Sequence, residues 1–204
     1  MGLSDDDLLA VVDAFGAAAI GAEDWLHALS RLAEVTGSEA GQLIGYGAHG
    51  QEPFMWTADP DPGWLERFAE YGAADPKINP RIGLGMRMPI LRLLTDQDAI
   101  SRDERRQHPL YADYFDRNDR PFICAANLVK DQERWVGLAV LRTRRQGEIT
   151  DQQRAVFAAL APHVRAAVHM QRCWRIAAHR YWPVSWRRSR LPCSSSTGGA
   201  WYGR

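Results

Sequence analysis

No apolar run in this 204-residue sequence approaches the roughly 20 residues that a bilayer-spanning helix needs, which excludes a helical membrane-spanning chain. The start, Met1-Gly2-Leu3-Ser4-Asp5-Asp6-Asp7, lacks the basic-then-apolar order of a secretory signal, so a cytoplasmic location is expected. Cysteine is scarce. Cys124, Cys173 and Cys193, an odd number at irregular spacing, make no disulfide framework. The glycine motifs of nucleotide sites and nucleophile elbows, G-x-x-x-x-G-K, G-x-G-x-x-G and G-x-S-x-G, are missing, and Gly83-Leu84-Gly85 alone is too little. None of His27, His49, His108, His163, His169 and His179 pairs with Cys, Asp or Glu in a pattern such as H-E-x-x-H. Cys124 sits in an apolar stretch, where a buried inert thiol is expected rather than a chromophore attachment point. His108 before Pro109 has no nucleophile beside it. The expectation is a protein that is not an enzyme and holds no metal or cofactor.

Acid is also missing from residues 152–204, which carry nine arginines, whereas residues 1–151 hold all 25 Asp and Glu against 16 Lys and Arg. The net charge of zero therefore hides a −9 part and a +9 part. With 46% apolar and 25% charged residues, the chain has the balance of a globular protein.

Ser4 is a good N-cap for a first helix carrying Leu8, Leu9, Val11, Val12 and Phe15, and Gly21 breaks it. A second helix carries Trp25, Leu26, Leu29, Leu32 and Val35 up to Gly37. Gln42–Tyr46 and Glu52–Thr57 read as short strands around a turn at Gly47–Gly50. A third helix starts after Asp61-Pro62-Gly63 and ends before Asp75-Pro76. Residues 76–100, with three prolines, are expected to be irregular. Ser101-Arg102-Asp103-Glu104 fits a capping box opening a polar helix to about Arg117. Phe122–Val129 and Arg134–Arg142 form a hairpin, and Thr150-Asp151-Gln152-Gln153 opens a long helix to about residue 171. Its stripe of Phe157, Leu160, Val164 and Val168, broadened by Ala155, Ala159, Ala166 and Ala167, packs on the sheet and offers a face for a second copy. Pro162 lies inside this helix, where a kink is expected. The order indicates an α+β domain: an antiparallel sheet flanked by helices, the layout of PAS-like and GAF-like sensors, with a long C-terminal helix.

Leu160-Ala161-Pro162-His163-Val164-Arg165-Ala166-Ala167 resembles the Leu-x-Pro-His-(apolar)-x-x-Ala segment that ends the sensor domain of many LuxR-type bacterial transcriptional regulators. Gly147-Glu148-Ile149-Thr150-Asp151, His108-Pro109-Leu110-Tyr111, Phe122–Leu128 and Trp135-Val136-Gly137-Leu138 are similar to the same family. The resemblance implies a domain that binds a small molecule, forms a homodimer and passes the change to a C-terminal helix-turn-helix, a segment that this sequence does not match. Trp64, Phe68, Tyr71 and Asp75-Pro76 resemble the Trp, the aromatic four residues later and the downstream Asp-Pro of acyl-homoserine-lactone receptors, in which Trp and Asp hold the lactone head group. Asp75 follows Trp64 by 11 residues, a shorter gap than in that branch, and Phe68 lacks the hydroxyl of the usual Tyr. By spacing alone, Trp64 and Phe68 are core residues of an amphipathic helix and Asp75 belongs to a helix-ending turn. Tyr46 and Trp56 are expected to face the same interior from the strands. Trp64, Phe68, Tyr71, Asp75, Trp56 and Tyr46 are thus the candidate ligand-binding residues.

The sensor domain is expected to occupy residues 1–171. Residues 172–204, rich in Arg, Trp and Ser, form an irregular tail holding four of the eight tryptophans. Its readings are a basic aromatic tail for nucleic acid, a disordered linker, or a peptide read out of frame. A back-translation shifted by one base restores acids and a Leu/Val/Ala helix pattern, which favours the last. A dimerisation or interaction module without a ligand is the further alternative for the chain.

Overall fold

The structure is a computed structural model that describes residues 4–47 and 54–181, with the side chains of 172–181 outside the description. Two capped helices open it. In α1 (Asp5–Ile20), Ser4 Oγ accepts from Asp7 N at 3.2 Å and the Asp7 carboxylate accepts from Ser4 N at 3.0 Å, a reciprocal cap. Gly21, at φ 78°, ends the helix in the left-handed conformation. Asp24 caps α2 (Trp25–Val35) through Leu26 N. There follow β1 (Ala40–Gly47), β2 (Phe54–Ala58), α3 (Trp64–Glu70), α4 (Pro80–Gly85), β3 (Leu93–Thr95), α5 (Asp96–Ala99), α6 (Arg102–Gln107), a π-helical segment (Leu110–Phe115), β4 (Phe122–Lys130), β5 (Arg134–Arg142) and α7 (Asp151–Tyr181).

The five strands form one sheet in the order β2-β1-β5-β4-β3, with every neighbouring pair antiparallel. The fold is α+β, as expected. Because side chains alternate along a strand, the sheet has two apolar faces. One packs Leu43, Cys124, Leu128, Leu138 and Val140 against α1, α2 and α7. The other packs Ile44, Ile123, Trp135 and Ala139 against α3, α4 and the π-helical segment. The expected stripe on α7 divides: Phe157, Leu160, Val164 and Ala167 are buried, whereas Ala155, Ala159 and Ala166 are exposed.

A register shift between Asn127 and Val129 places an extra residue in β4. The carbonyl of Leu128 at that bulge accepts from Arg165 Nε at 2.9 Å, which pins α7 to the sheet. Buried arginines hold the periphery. Arg120 grips Asp59 with two bonds of 2.8 Å. Arg142 donates to the carbonyls of Thr36, Gly37, Gln146 and Gly147, and burial lowers its pKa below the ordinary guanidinium value.

Three segments depart from the sequence expectation. Residues 76–100 are ordered into α4, β3 and α5, because Asn79 caps Arg81 N with Pro80 at the first helical position. The polar helix stops at Gln107, since His108 precedes a proline and is extended (φ −78°, ψ 118°). The chain resumes as the π-helical segment rather than as more α-helix. The last helix passes Pro162 and continues to Tyr181, beyond the expected end near residue 171, through a stretch without Gly or Pro. The tail from 182 to 204 and most of the Gly47–Gly50 turn lie outside the described residues. Among the described residues no helix is long and apolar enough to cross a membrane.

Candidate ligand-binding site

The site lies between the sheet and α4. Trp135, on β5, lays its indole along the sheet over Gly137, where a Cβ would come within 2.6 Å of the ring. Above it, a Cβ on Gly85 of α4 would lie 3.2 Å from the same ring. The two missing side chains let strand, indole and helix stack closely. Trp135 Nε1 donates to Asn127 Oδ1 at 2.8 Å. Asn127 Nδ2 donates in turn to the carbonyls of Gly85 and Met88 at 2.6 and 2.7 Å. The end of α4 is thereby bolted to the sheet through one amide.

Beside this stack lies a small cavity, partly open to solvent. Its walls are apolar: Ile44, Ile82, Leu94, Ile123, Ala125, Leu138, Ala139 and the indole of Trp135. Gln42, Asn127, Arg81 and Arg92 supply its polar edge. Gln42 Nε2 donates to Thr57 Oγ1 at 3.1 Å. An apolar hollow with a few fixed polar groups is the usual form of a small-molecule site.

Arg81 is only 4% exposed. Its Nε donates to Asp96 Oδ1 at 2.7 Å, and Nη2 donates to the carbonyls of Pro121 (2.9 Å) and Arg120 (3.3 Å). Asp96 Oδ1 also accepts from the Tyr111 hydroxyl at 2.9 Å, and Oδ2 accepts from Ile123 N at 2.7 Å. The guanidinium lies 3.6 Å from the centre of the Phe115 ring. Burial works against its charge, but the Asp96 carboxylate and the Tyr111 hydroxyl outweigh it, so the pKa of Arg81 lies above the ordinary value. Its Nη1 is buried and has no hydrogen-bond partner among the described residues.

The sequence-predicted residues separate. Trp64 and Phe68 are buried in an aromatic group with Tyr114, whose hydroxyl donates to the Trp64 carbonyl at 3.1 Å. Burying Phe68 contributes roughly 2 kcal/mol. Trp64 Nε1 is buried without a partner among the described residues, and neither ring lines the cavity. Tyr71 touches the group from outside, its ring 5.3 Å from that of Tyr114, and is 40% exposed. Asp75 is exposed and does not line the cavity, and its carboxylate accepts from Lys77 N at 2.8 Å in a local turn. Tyr46 stacks beside Trp135, and its hydroxyl donates to the Ala74 carbonyl. Burial, with the Asp75 carboxylate nearby, raises the Tyr46 pKa.

Trp56 corrects the expectation of a shared interior. It is registered opposite Leu43 and lies on the other sheet face, stacked on Trp25 with centroids 5.2 Å apart. Tyr46, three positions along β1 from Leu43, falls on the α3–α4 side. The sequence reading missed Arg81, Arg92, Gln42, Asn127 and Trp135. The available signals were Asn79-Pro80, which announces a helix start, and a glycine two residues after a strand tryptophan.

Among the described residues no group of three or more His, Cys, Asp or Glu could hold a metal ion. No family model matches the sequence, and neither does any curated protein. Solved structures do match. The chain is similar to the VqsR LBD domain from Pseudomonas aeruginosa, with TM-score 0.59 and 16% identity, covering 83% of this chain and 96% of that one. It is also similar to the N-acylhomoserine lactone dependent LuxR family transcription factor CepR2 from Burkholderia cenocepacia, with TM-score 0.58 and 14% identity, covering 84% of this chain and 97% of that one. The fold is that of the ligand-binding domains of LuxR-family regulators.

Proposed function

We propose that this chain is a small-molecule-sensing domain of a LuxR-type transcriptional regulator, with its effector in the cavity between the sheet and α4. The observation that carries this reading is the cavity itself, an apolar hollow with a fixed polar edge, in a fold shared with ligand-binding domains. Asn127 lines the cavity one residue before Leu128, whose carbonyl holds Arg165 of α7. A ligand that shifts Asn127 therefore acts on the long helix, and through it on a helix-turn-helix domain downstream. The chain functions as a homodimer. The support is that the packed helices α1 and α7 leave Leu9 and Met170 exposed, at 60% and 41%.

A thermal-shift screen of small metabolites and acyl-homoserine lactones tests the sensing role, since a ligand of the native state raises the melting temperature. No shift with any compound, together with an unchanged affinity for DNA on truncation after Gln171, leaves an interaction module. A salt-dependent DNA affinity lost on that truncation supports the nucleic-acid reading instead.

A further inference from the structure

Residues 86–92 join α4 to β3, and Met88 and Arg92 among them line the hollow. None of their side chains is fully buried, and those of Arg87, Pro89, Ile90 and Arg92 are exposed. Polar bonds hold the segment to the sheet instead, and among the described residues these bonds reach two residues of β4. Asn127 Nδ2 donates to the carbonyls of Gly85 and Met88 at 2.6 and 2.7 Å, and the Asn127 carbonyl accepts from Leu91 N at 2.9 Å. Lys130 Nζ donates to the carbonyls of Arg87 and Met88 at 2.9 and 3.4 Å. Leu91 is held at φ 61°, in the left-handed region that a leucine disfavours. A segment with little burial, a strained residue and its tethers gathered at two side chains belongs to the least stable part of a fold. The hollow it borders has room for only a few water molecules as it stands, so it must widen before an organic molecule fits.

From this we infer that residues 86–92 are a strap that opens as a unit, with Asn127 as its latch, and that this opening admits the effector to the hollow. The inference rests on the sensing role and adds how the site is reached. Opening frees Asn127 Nδ2 from two carbonyls, and because Asn127 is only 3% exposed, that donor needs a new acceptor from water or from the entering molecule. Leaving the left-handed conformation at Leu91 offsets part of the loss. Loops that gate a site in this way move as units on microsecond to millisecond timescales.

Hydrogen exchange and thiol labelling on the full chain test this without any effector. Relative to its intrinsic rate, the Leu91 amide exchanges at least tenfold faster than those of Ala139 and Val140 in the central strand. In a Cys173→Ser, Cys193→Ser background, Ala139→Cys puts a thiol on the sheet wall of the hollow, where Ala139 is 5% exposed. Cys124, fully buried on the other sheet face, reports global unfolding in the same sample. Iodoacetamide labels the introduced thiol faster than Cys124. Asn127→Ala removes two tethers and raises both Leu91 exchange and labelling of the introduced thiol about tenfold, with Cys124 still protected. If Asn127→Ala does not fold, Lys130→Ala, at an exposed position, raises both roughly threefold. A Leu91 amide as protected as the central strand overturns the strap. Faster exchange with unchanged labelling overturns it as the entrance, and unchanged rates in the variant that folds overturn the latch. Each of these failures leaves the sensing role standing, which the thermal-shift screen decides separately.

Discussion

Arg81 and Asp96 meet at 2.7 Å in an ion pair whose side chains are 3% and 5% exposed. The pair joins the start of α4 to the start of α5, and Asp96 carries it on to the Tyr111 hydroxyl and to Ile123 N. Removing one partner strands a charge where water cannot reach it. Asp96→Ala is expected to lower stability by about 3–5 kcal/mol, measured by urea unfolding. Replacing both residues together, Arg81→Met with Asp96→Leu, recovers part of the loss, because the desolvation cost disappears with the charges while the Tyr111 hydroxyl and Ile123 N still lose their acceptor. A double variant as unstable as Asp96→Ala would show that the hydrogen bonds Asp96 takes from Tyr111 and Ile123, rather than the charge pair, set the loss.

Gly137→Ala tests the stack beneath the cavity. The added methyl meets the Trp135 ring, which cannot rise, because α4 lies above it at Gly85. The indole must tilt and give up its bond to Asn127. The expected cost is roughly 1–3 kcal/mol in chemical unfolding, with a changed tryptophan near-ultraviolet dichroism. A change in neither signal contradicts the geometry.

Cys124 is fully buried, and burial pushes its thiol pKa up to about 12. A thiol kept protonated at neutral pH is a poor nucleophile. In a Cys173→Ser, Cys193→Ser background, iodoacetamide is expected to leave the native protein unlabelled and to modify it fully in denaturant, as read by mass spectrometry.

The hydroxyls of Tyr46, Tyr111 and Tyr114 all have raised pKa values, chiefly through burial. The folded state therefore prefers the neutral phenol. The associated stability is complete below the unfolded value of about 10 and is lost as pH rises above it. Spectrophotometric titration is expected to show these three ionising only with alkaline unfolding, in one cooperative step followed in parallel by far-ultraviolet dichroism. Normal titration of all six tyrosines in the folded protein would contradict this.

Helices with side-chain caps were the most legible part of the sequence. Ser4 and Thr150 announce α1 and α7 through residues three positions later, and both caps form. The β4–β5 hairpin was equally plain, because apolar alternation persists across it. Residues 76–100 were not, since prolines and glycines hide the short α4 behind the appearance of a loop, and its stability comes from Arg81 binding it to Asp96 of α5 and from Asn127 binding it to β4. The same contacts explain the candidate site. Arg81 looks like a surface residue until Asp96, Phe115 and Tyr111 close around it. Trp64 and Phe68 were readable as buried residues by their spacing, whereas the face occupied by Trp56 depends on strand register, which single-residue patterns leave open.

Among the described side chains of α7, the last buried one is Ala167, and the helix runs on to Tyr181. At 1.5 Å per residue, Tyr181 lies about 20 Å along the helix axis from Ala167. Arg165, gripping the bulge of β4, sits close to the fulcrum. By geometry alone, a small tilt of a straight helix at that grip becomes a larger displacement at its far end.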